Sequence, residues 1–134
     1  VHQQAQLGFI CNLALATLMV GLTVAIAAAG LGISAAGTIA FRRARTTVNP
    51  LHPERASALV TGGIYRRTRN PMYVGMLLGL VSWVVYLGSA PALLGPVAFV
   101  VYITRFQILP EEQALRARFG SDYRDYQQRV RRWL

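Results

Sequence analysis

Two short polar stretches hold most of the residues that could do chemistry in this chain. The first, TGGIYRRTRNPMYVG at residues 61–75, sets Tyr65, Arg66, Arg67, Arg69 and Asn70 between the glycine pair Gly62–Gly63 and Pro71. Proline fixes its own φ and pushes the preceding residue out of the helical region, so Pro71 reads as the first-turn proline of a helix that restarts with Met72 and Tyr73. The free backbone N–H groups of such a start, beside guanidinium and amide donors, suit an anionic or carboxylate-bearing ligand and make this stretch a candidate cofactor wall. The same arginines would serve equally well as headgroup anchors. The second stretch carries Glu111 and Glu112 behind Pro110. Adjacent acids there either stabilise the positive end of a helix dipole or receive a cation or hydroxyl groups. Neighbouring helical residues point about 100° apart, so one glutamate should face a ligand more directly than the other.

Other chemistries are poorly supplied. His2 and His52 are isolated, with no metal-ligand spacing, and Cys11 is the single cysteine, in an apolar run that suits an inert thiol. The chain has no lysine, which removes Schiff-base catalysis. A net charge of +9 is compatible with nucleic acid, but all fourteen basic residues are arginines beside apolar segments, where topology and anionic lipid account for them. Nucleic acid is therefore not expected as a partner.

Two long uncharged regions must position the polar stretches. No Arg, Asp or Glu falls in residues 1–41 or 70–104 of the 134, and 54% of the chain is hydrophobic. Such regions read as membrane spans, and the arginines, confined to 42–69 and 105–132, put those segments on the cytoplasmic side. The expected fold is one all-α integral membrane domain over 1–134, with spans at 7–41, 72–88 and 92–109 and cytoplasmic segments at 42–70 and 110–134. The 35 residues of 7–41 would reach about 52 Å as a helix, against roughly 30 Å of hydrocarbon. No proline or polar turn interrupts them, which favours one long span; two crossings would make four spans in all. Opening on Val1 rather than Met leaves room for an upstream segment, and Val1–Gln6 lacks the basic start of a cleavable signal.

Local signals fill in this outline. Gly21, Gly30, Gly32 and Gly37 suit close helix packing. Thr46, Thr47, Asn49, Pro50 and Pro53 suit a connecting loop over 42–60. Ser89–Pro91 turns the chain between spans, and Pro96 should kink the returning one. Trp83, Tyr86 and Tyr102 suit interface or packing positions. A new helix is expected at Pro110, ending at Gly120. Beyond it Tyr123, Tyr126, Val130 and Trp133 recur at helical spacing opposite Arg124, Arg129, Arg131 and Arg132, an amphipathic helix expected to lie along the headgroups.

Taken together, RNPMYVG from Arg69 and EEQALRARFGSDYRDYQQRV from Glu111, separated by a helical hairpin, resemble the isoprenylcysteine carboxyl methyltransferase family and, more broadly, the phospholipid methyltransferases. The resemblance covers roughly the last two-thirds of the chain and implies a site for S-adenosylmethionine at the cytoplasmic membrane face. Carried over position by position, it makes Gly63, Tyr65, Arg69, Asn70, Pro71 and Tyr73 one wall of the pocket and Glu111 and Glu112 the other. Asn70 stands where the family commonly has histidine; an amide donates and accepts hydrogen bonds but offers no imidazole. On this basis Glu111 or Glu112 would take the ligand's ammonium or ribose, and Arg69 its carboxylate. Arg105, at the cytoplasmic end of the returning span, is the candidate to hold an acceptor carboxylate and joins Glu112 as a catalytic candidate.

The expected function is methyl transfer to a lipophilic acceptor, a prenylcysteine-type carboxylate before a phospholipid amine, in a membrane expected to be the bacterial inner one. The partners expected are that acceptor and membrane lipids. A sterol-reductase-like enzyme and a non-catalytic membrane scaffold are the competing classes; a dinucleotide fingerprint, which the first would favour, is not found.

Overall fold

The computed structural model describes residues 1–44 and 58–134. The loop expectations at Thr46, Thr47, Asn49, Pro50 and Pro53, and His52 with them, lie outside the described residues. Helix α1 runs His2–Arg43, α2 Pro71–Leu87, α3 Leu94–Ile103, α4 Leu109–Phe119 and α5 Ser121–Arg129, and no strand occurs among the described residues. Short 3-10 turns at Gly63–Arg66 and Ala90–Leu93 precede α2 and α3, and a π-helical turn, Thr104–Ile108, joins α3 to α4.

The all-α membrane architecture expected from the sequence is the one observed. Residues 7–41 lie within one uninterrupted helix, as the absence of proline and polar turns favours. Two helical runs, His2–Arg43 and Ala90–Phe119, are long and apolar enough to cross a membrane, and α2 is a shorter apolar helix of 17 residues. Hydroxyl side chains along α1 and α2 return their hydrogen bonds to their own helix: Thr17 to the Leu13 carbonyl, Thr23 to Met19, Thr38 to Ser34 and Ser82 to Gly79. No partner from solvent is then needed, as an apolar medium requires.

Helices α1 and α2 cross backbone to backbone. A Cβ on Gly30 would lie 2.8 Å from the Gly75 carbonyl oxygen, and one on Gly75 would lie 2.6 Å from the Gly30 carbonyl oxygen and collide with Ser34 Oγ. Only glycine permits that approach. About two helical turns along α1 from Gly30, nearer the polar end, Gly37 receives the ring of Pro71. Gly21 and Gly32, expected to pack in the same way, have no neighbour within 4 Å. The small residues therefore mark a local crossing and not a seam along the whole helix.

The returning helix differs from expectation at two prolines and ends at the glycine where a stop was expected. Pro96 sits in the first turn of α3, just after the 3-10 turn, where a missing N–H costs little. Pro110 begins no new helix: the helical run continues through it, and the Leu109 N–H reaches back five residues to the Thr104 carbonyl. Proline cannot supply the N–H that would close on Phe106, and the chain accommodates this by widening the preceding turn. At Gly120, φ 59° and ψ −123° form a conformation open to glycine alone, which ends α4 and sends α5 off in a new direction.

Helix α5 is amphipathic, but protein covers its apolar face. Tyr123 and Tyr126 pack with Val60, Tyr65 and Val130 in a small core flanked by Phe41, Ile64, Leu115 and Phe119. Phe41 and Tyr65 meet edge to face at 5.4 Å between ring centroids. The helix also stops at Arg129, and Val130 turns extended (φ −126°, ψ 132°). Arg131, Arg132 and Trp133 thus leave the helical face on which they were expected and form a terminal strap.

Candidate functional site

The site begins with the turn before α2. Tyr65 is held there by its burial and by its own carbonyl, which accepts the Tyr126 hydroxyl at 2.7 Å. Gly63 opens the turn with φ 60°, and Arg67 and Thr68 both direct backbone N–H groups at the Ile64 carbonyl. The fully buried Thr68 accepts the Asn70 N–H at 3.2 Å. These contacts fix the backbone from which Arg69 and Asn70 project.

The strap docks against that backbone. The Arg69 N–H donates to the Arg131 carbonyl at 3.0 Å, and the Arg132 carbonyl accepts both the Asn70 side-chain amide, at 2.9 Å, and the Thr68 hydroxyl, at 3.4 Å. Trp133 completes the attachment: its indole N–H reaches Thr104 Oγ1 at 3.3 Å, and its ring lies edge-on to Phe99. Asn70 spends its amide N–H on this backbone contact, a role that asks for no imidazole.

The hairpin of α2 and α3 brings the glutamates to the same place. Arg69 Nη1 lies 3.1 Å from Glu112 Oε1. Arg132 grips the same carboxylate with both prongs of its fork, Nε to Oε1 at 2.9 Å and Nη2 to Oε2 at 3.1 Å. Glu112 is 3% exposed. Glu111 is only partly buried, and its Oε1 accepts the Tyr73 hydroxyl at 2.6 Å and the Gln107 amide at 2.9 Å. The two acids therefore differ in kind: one is surrounded by guanidinium charge, the other held by neutral donors.

Arg69 is not satisfied by this arrangement. Its side chain is 10% exposed, and its Nε and Nη1 are buried without a hydrogen-bond acceptor, the contact with Glu112 being close but misaligned for a hydrogen bond. Buried donors of this kind are costly unless something accepts from them. Burial also pushes the Tyr65, Tyr123 and Tyr126 phenols above their ordinary range; the Glu112 charge adds to this at Tyr123, where Arg69 opposes it. These tyrosines are neutral, uncharged packing around the ion cluster.

Of the residues singled out in the sequence, Arg69, Asn70, Tyr73, Glu111 and Glu112 belong to this one polar cluster. Pro71 presses on Gly37 beneath it, while Gly63 and Tyr65 shape the turn above. Arg105 stands apart in character: it is exposed on the π-helical turn, its guanidinium 5.9 Å from the Phe106 ring centroid. Sequence reasoning missed Thr68, Gln107, Tyr126 and Arg132. Gln107 was within reach, since it precedes Glu111 by four residues on a helix. Arg132 was not, because helical spacing assigned it to an outward face.

Could these residues hold S-adenosylmethionine? The unsatisfied donors of Arg69 suit a carboxylate, and Glu111, whose hydrogen-bond partners are neutral, suits an ammonium or a diol. The donor set fits the amino-acid end of that molecule.

Comparison with known proteins gives a separate line of observation. The family model described as phospholipid methyltransferase matches residues 16–122. An uncharacterized protein of Haemophilus influenzae is 48% identical over 63 residues, 47% of this chain and 100% of that protein. A probable protein-S-isoprenylcysteine O-methyltransferase of Oryza sativa subsp. indica is 38% identical over 91 residues, 66% of this chain and 46% of the rice protein. Protein-S-isoprenylcysteine O-methyltransferase A of Arabidopsis thaliana is 36% identical over 101 residues, 73% of this chain and 50% of its own length. The chain thus spans about half the length of the plant methyltransferases it matches. No solved structure matches it.

Proposed function

This chain belongs to the phospholipid methyltransferase family, and from that premise we propose that it moves a methyl group from S-adenosylmethionine to a lipophilic acceptor at the cytoplasmic face of the membrane. The observation that carries the reading is the pairing, in one cluster, of a buried arginine whose donors lack an acceptor with a carboxylate held by neutral groups. Arg69 binds the carboxylate of the methionine moiety and Glu111 its ammonium. Gly63, Tyr65, Asn70, Pro71 and Tyr73 build and hold the wall behind them. When bound, S-adenosylmethionine supplies an electrophilic methyl group on a sulfonium.

The residues' task is alignment and exclusion of water, since the nucleophile, methyl carbon and sulfur must lie in line. The cytoplasmic assignment rests on the exposed arginines at this end: Arg42 and Arg43 closing α1, Arg66 and Arg67 before α2, and Arg116 and Arg118 in α4. A site at that depth admits a substrate sideways from the bilayer.

A carboxylate acceptor needs no general base, only a cation to hold it, and Arg105 is assigned that role. The names of the plant relatives favour a prenylcysteine carboxylate; the family description favours a phospholipid amine as the second reading. An amine must shed a proton before attack, so it would need a carboxylate such as Glu111 nearby. Calorimetry with S-adenosylmethionine in detergent tests the donor, and a radiolabelled methyl-transfer screen across prenylated peptides and phospholipids tests the acceptor. Absence of donor binding by folded protein would overturn the whole reading. Arg105→Ala is expected to raise the acceptor KM with donor affinity intact; unchanged acceptor kinetics would remove Arg105 from the mechanism.

A further inference from the structure

Charge counting across the cluster separates the two glutamates. Glu112, buried and with both oxygens engaged, lies between Arg69 and Arg132, so the trio carries one net positive charge: two guanidiniums against one carboxylate. A third cation arriving there would have to displace a fork already in place. Glu111 accepts from two donors that carry no charge of their own, so no guanidinium occupies it. The cluster therefore presents a positive group with unsatisfied donors beside a carboxylate that no guanidinium occupies, the complement of a zwitterion.

We infer that Arg132 is a positioning residue of the donor site: by occupying Glu112 it makes that carboxylate a strut beneath Arg69, leaving Glu111 as the acid that meets the ligand's cation. The assignment deepens the donor reading above and rests on it. The strap gives Arg132 the means to do this. Its carbonyl fixes Asn70 and Thr68, its neighbours Arg131 and Trp133 pin the chain to Arg69 and Thr104, and its side chain is thereby aimed at Glu112. Bidentate pairing sets the plane of the Glu112 carboxylate, and that plane holds Arg69 Nη1 3.1 Å away without aligning it for a hydrogen bond, so that Nε and Nη1 both still lack an acceptor.

The test uses the full chain in detergent, with S-adenosylmethionine and an analogue lacking its α-amino group as probes. Wild-type protein that binds neither probe sinks the donor reading itself, a result distinct from any below. Given wild-type binding, Arg132→Gln should weaken S-adenosylmethionine by about ten- to a hundredfold, the worth of a charge-assisted contact, and raise the donor KM more than it lowers kcat. Arg132→Lys, which keeps the charge but not the fork, should recover part of that loss. In a Glu112→Gln background, Arg132→Gln should add almost nothing, because its effect passes through that carboxylate. Glu111→Gln should weaken S-adenosylmethionine but not the deaminated analogue. The inference is overturned if Arg132→Gln binds as wild type does. It is equally overturned if the Glu112→Gln defect, and not the Glu111→Gln defect, vanishes with the deaminated analogue. The Glu111 arm leaves Arg132 unaltered, so the test survives a variant at 132 that fails to fold.

Discussion

The start of α2 and the turn that follows it are held by opposite means. At Gly75, one turn into the helix, α1 and α2 touch through Gly30, Ser34 and Gly75, with backbone packed on backbone. At the Pro71 end, the chain is fastened by directed contacts between residues some sixty positions apart: Asn70 to Arg132, Thr68 to Arg132 and Tyr126 to Tyr65. Lipid offers no hydrophobic gain for bringing two apolar helices together, so close packing must supply it. The polar end has the reverse problem of satisfying every desolvated donor and acceptor, and a single change there strands a charge.

That contrast can be broken from either side. The largest effect is expected for Glu112→Ala, which leaves the two arginines facing each other. A loss of about 3–5 kcal/mol, the usual consequence of removing one member of a buried ion cluster, should appear as a collapse of the unfolding midpoint in detergent. A midpoint within a few degrees of wild type would show that the cluster does not hold the head together. Gly75→Val comes next. Its Cβ would strike Ser34 and the Gly30 carbonyl and force α1 and α2 apart, at roughly 1–3 kcal/mol. Retained monodispersity and stability would refute the close crossing.

Tyr126→Phe should cost about 1 kcal/mol by leaving the buried Tyr65 carbonyl without its donor. It also carries a pH signature. Burial raises the folded-state pKa values of Tyr65 and Tyr126 above the unfolded value of ~10. Their contribution is therefore complete below that pH and drains away as the pH climbs through the folded values. The alkaline decline in stability should be shallower in Tyr126→Phe; an identical slope would mean that this phenol does not contribute. The smallest effect is expected for Gly32→Ala. It faces open space and should be neutral or stabilising by less than about 1 kcal/mol, in contrast to Gly75, and a marked loss would point to a neighbour at Gly32.

The same contrast explains what could be read in advance. Span positions follow from local composition: Pro71 at N1 and the stop at Gly120 each depend on one residue's backbone preferences and stand where expected. Arg69 beside Glu112 was legible because two short motifs flank a hairpin of fixed length. The strap was not. Tyr123, Tyr126, Val130 and Trp133 do repeat at helical spacing, but periodicity says only that a face is apolar, not whether lipid or Tyr65 covers it. The extended backbone at Val130 ended the periodicity that had assigned Arg132 outward. The π-helical turn was hidden for another reason: Pro110 read as a helix start, while a widened turn before it carries the helix through.

The strap also imposes an order on how the molecule is made. Arg131, Arg132 and Trp133 are added to the nascent chain after α1, α2 and α3, yet their contacts with Arg69, Glu112 and Thr104 lock the polar head. While those residues are still inside the ribosome, Glu112 lacks its fork and Asn70 its carbonyl. Assembly of the head therefore trails insertion of the helices, and a ribosome stalled short of position 131 would leave an embedded chain whose ion cluster is still open.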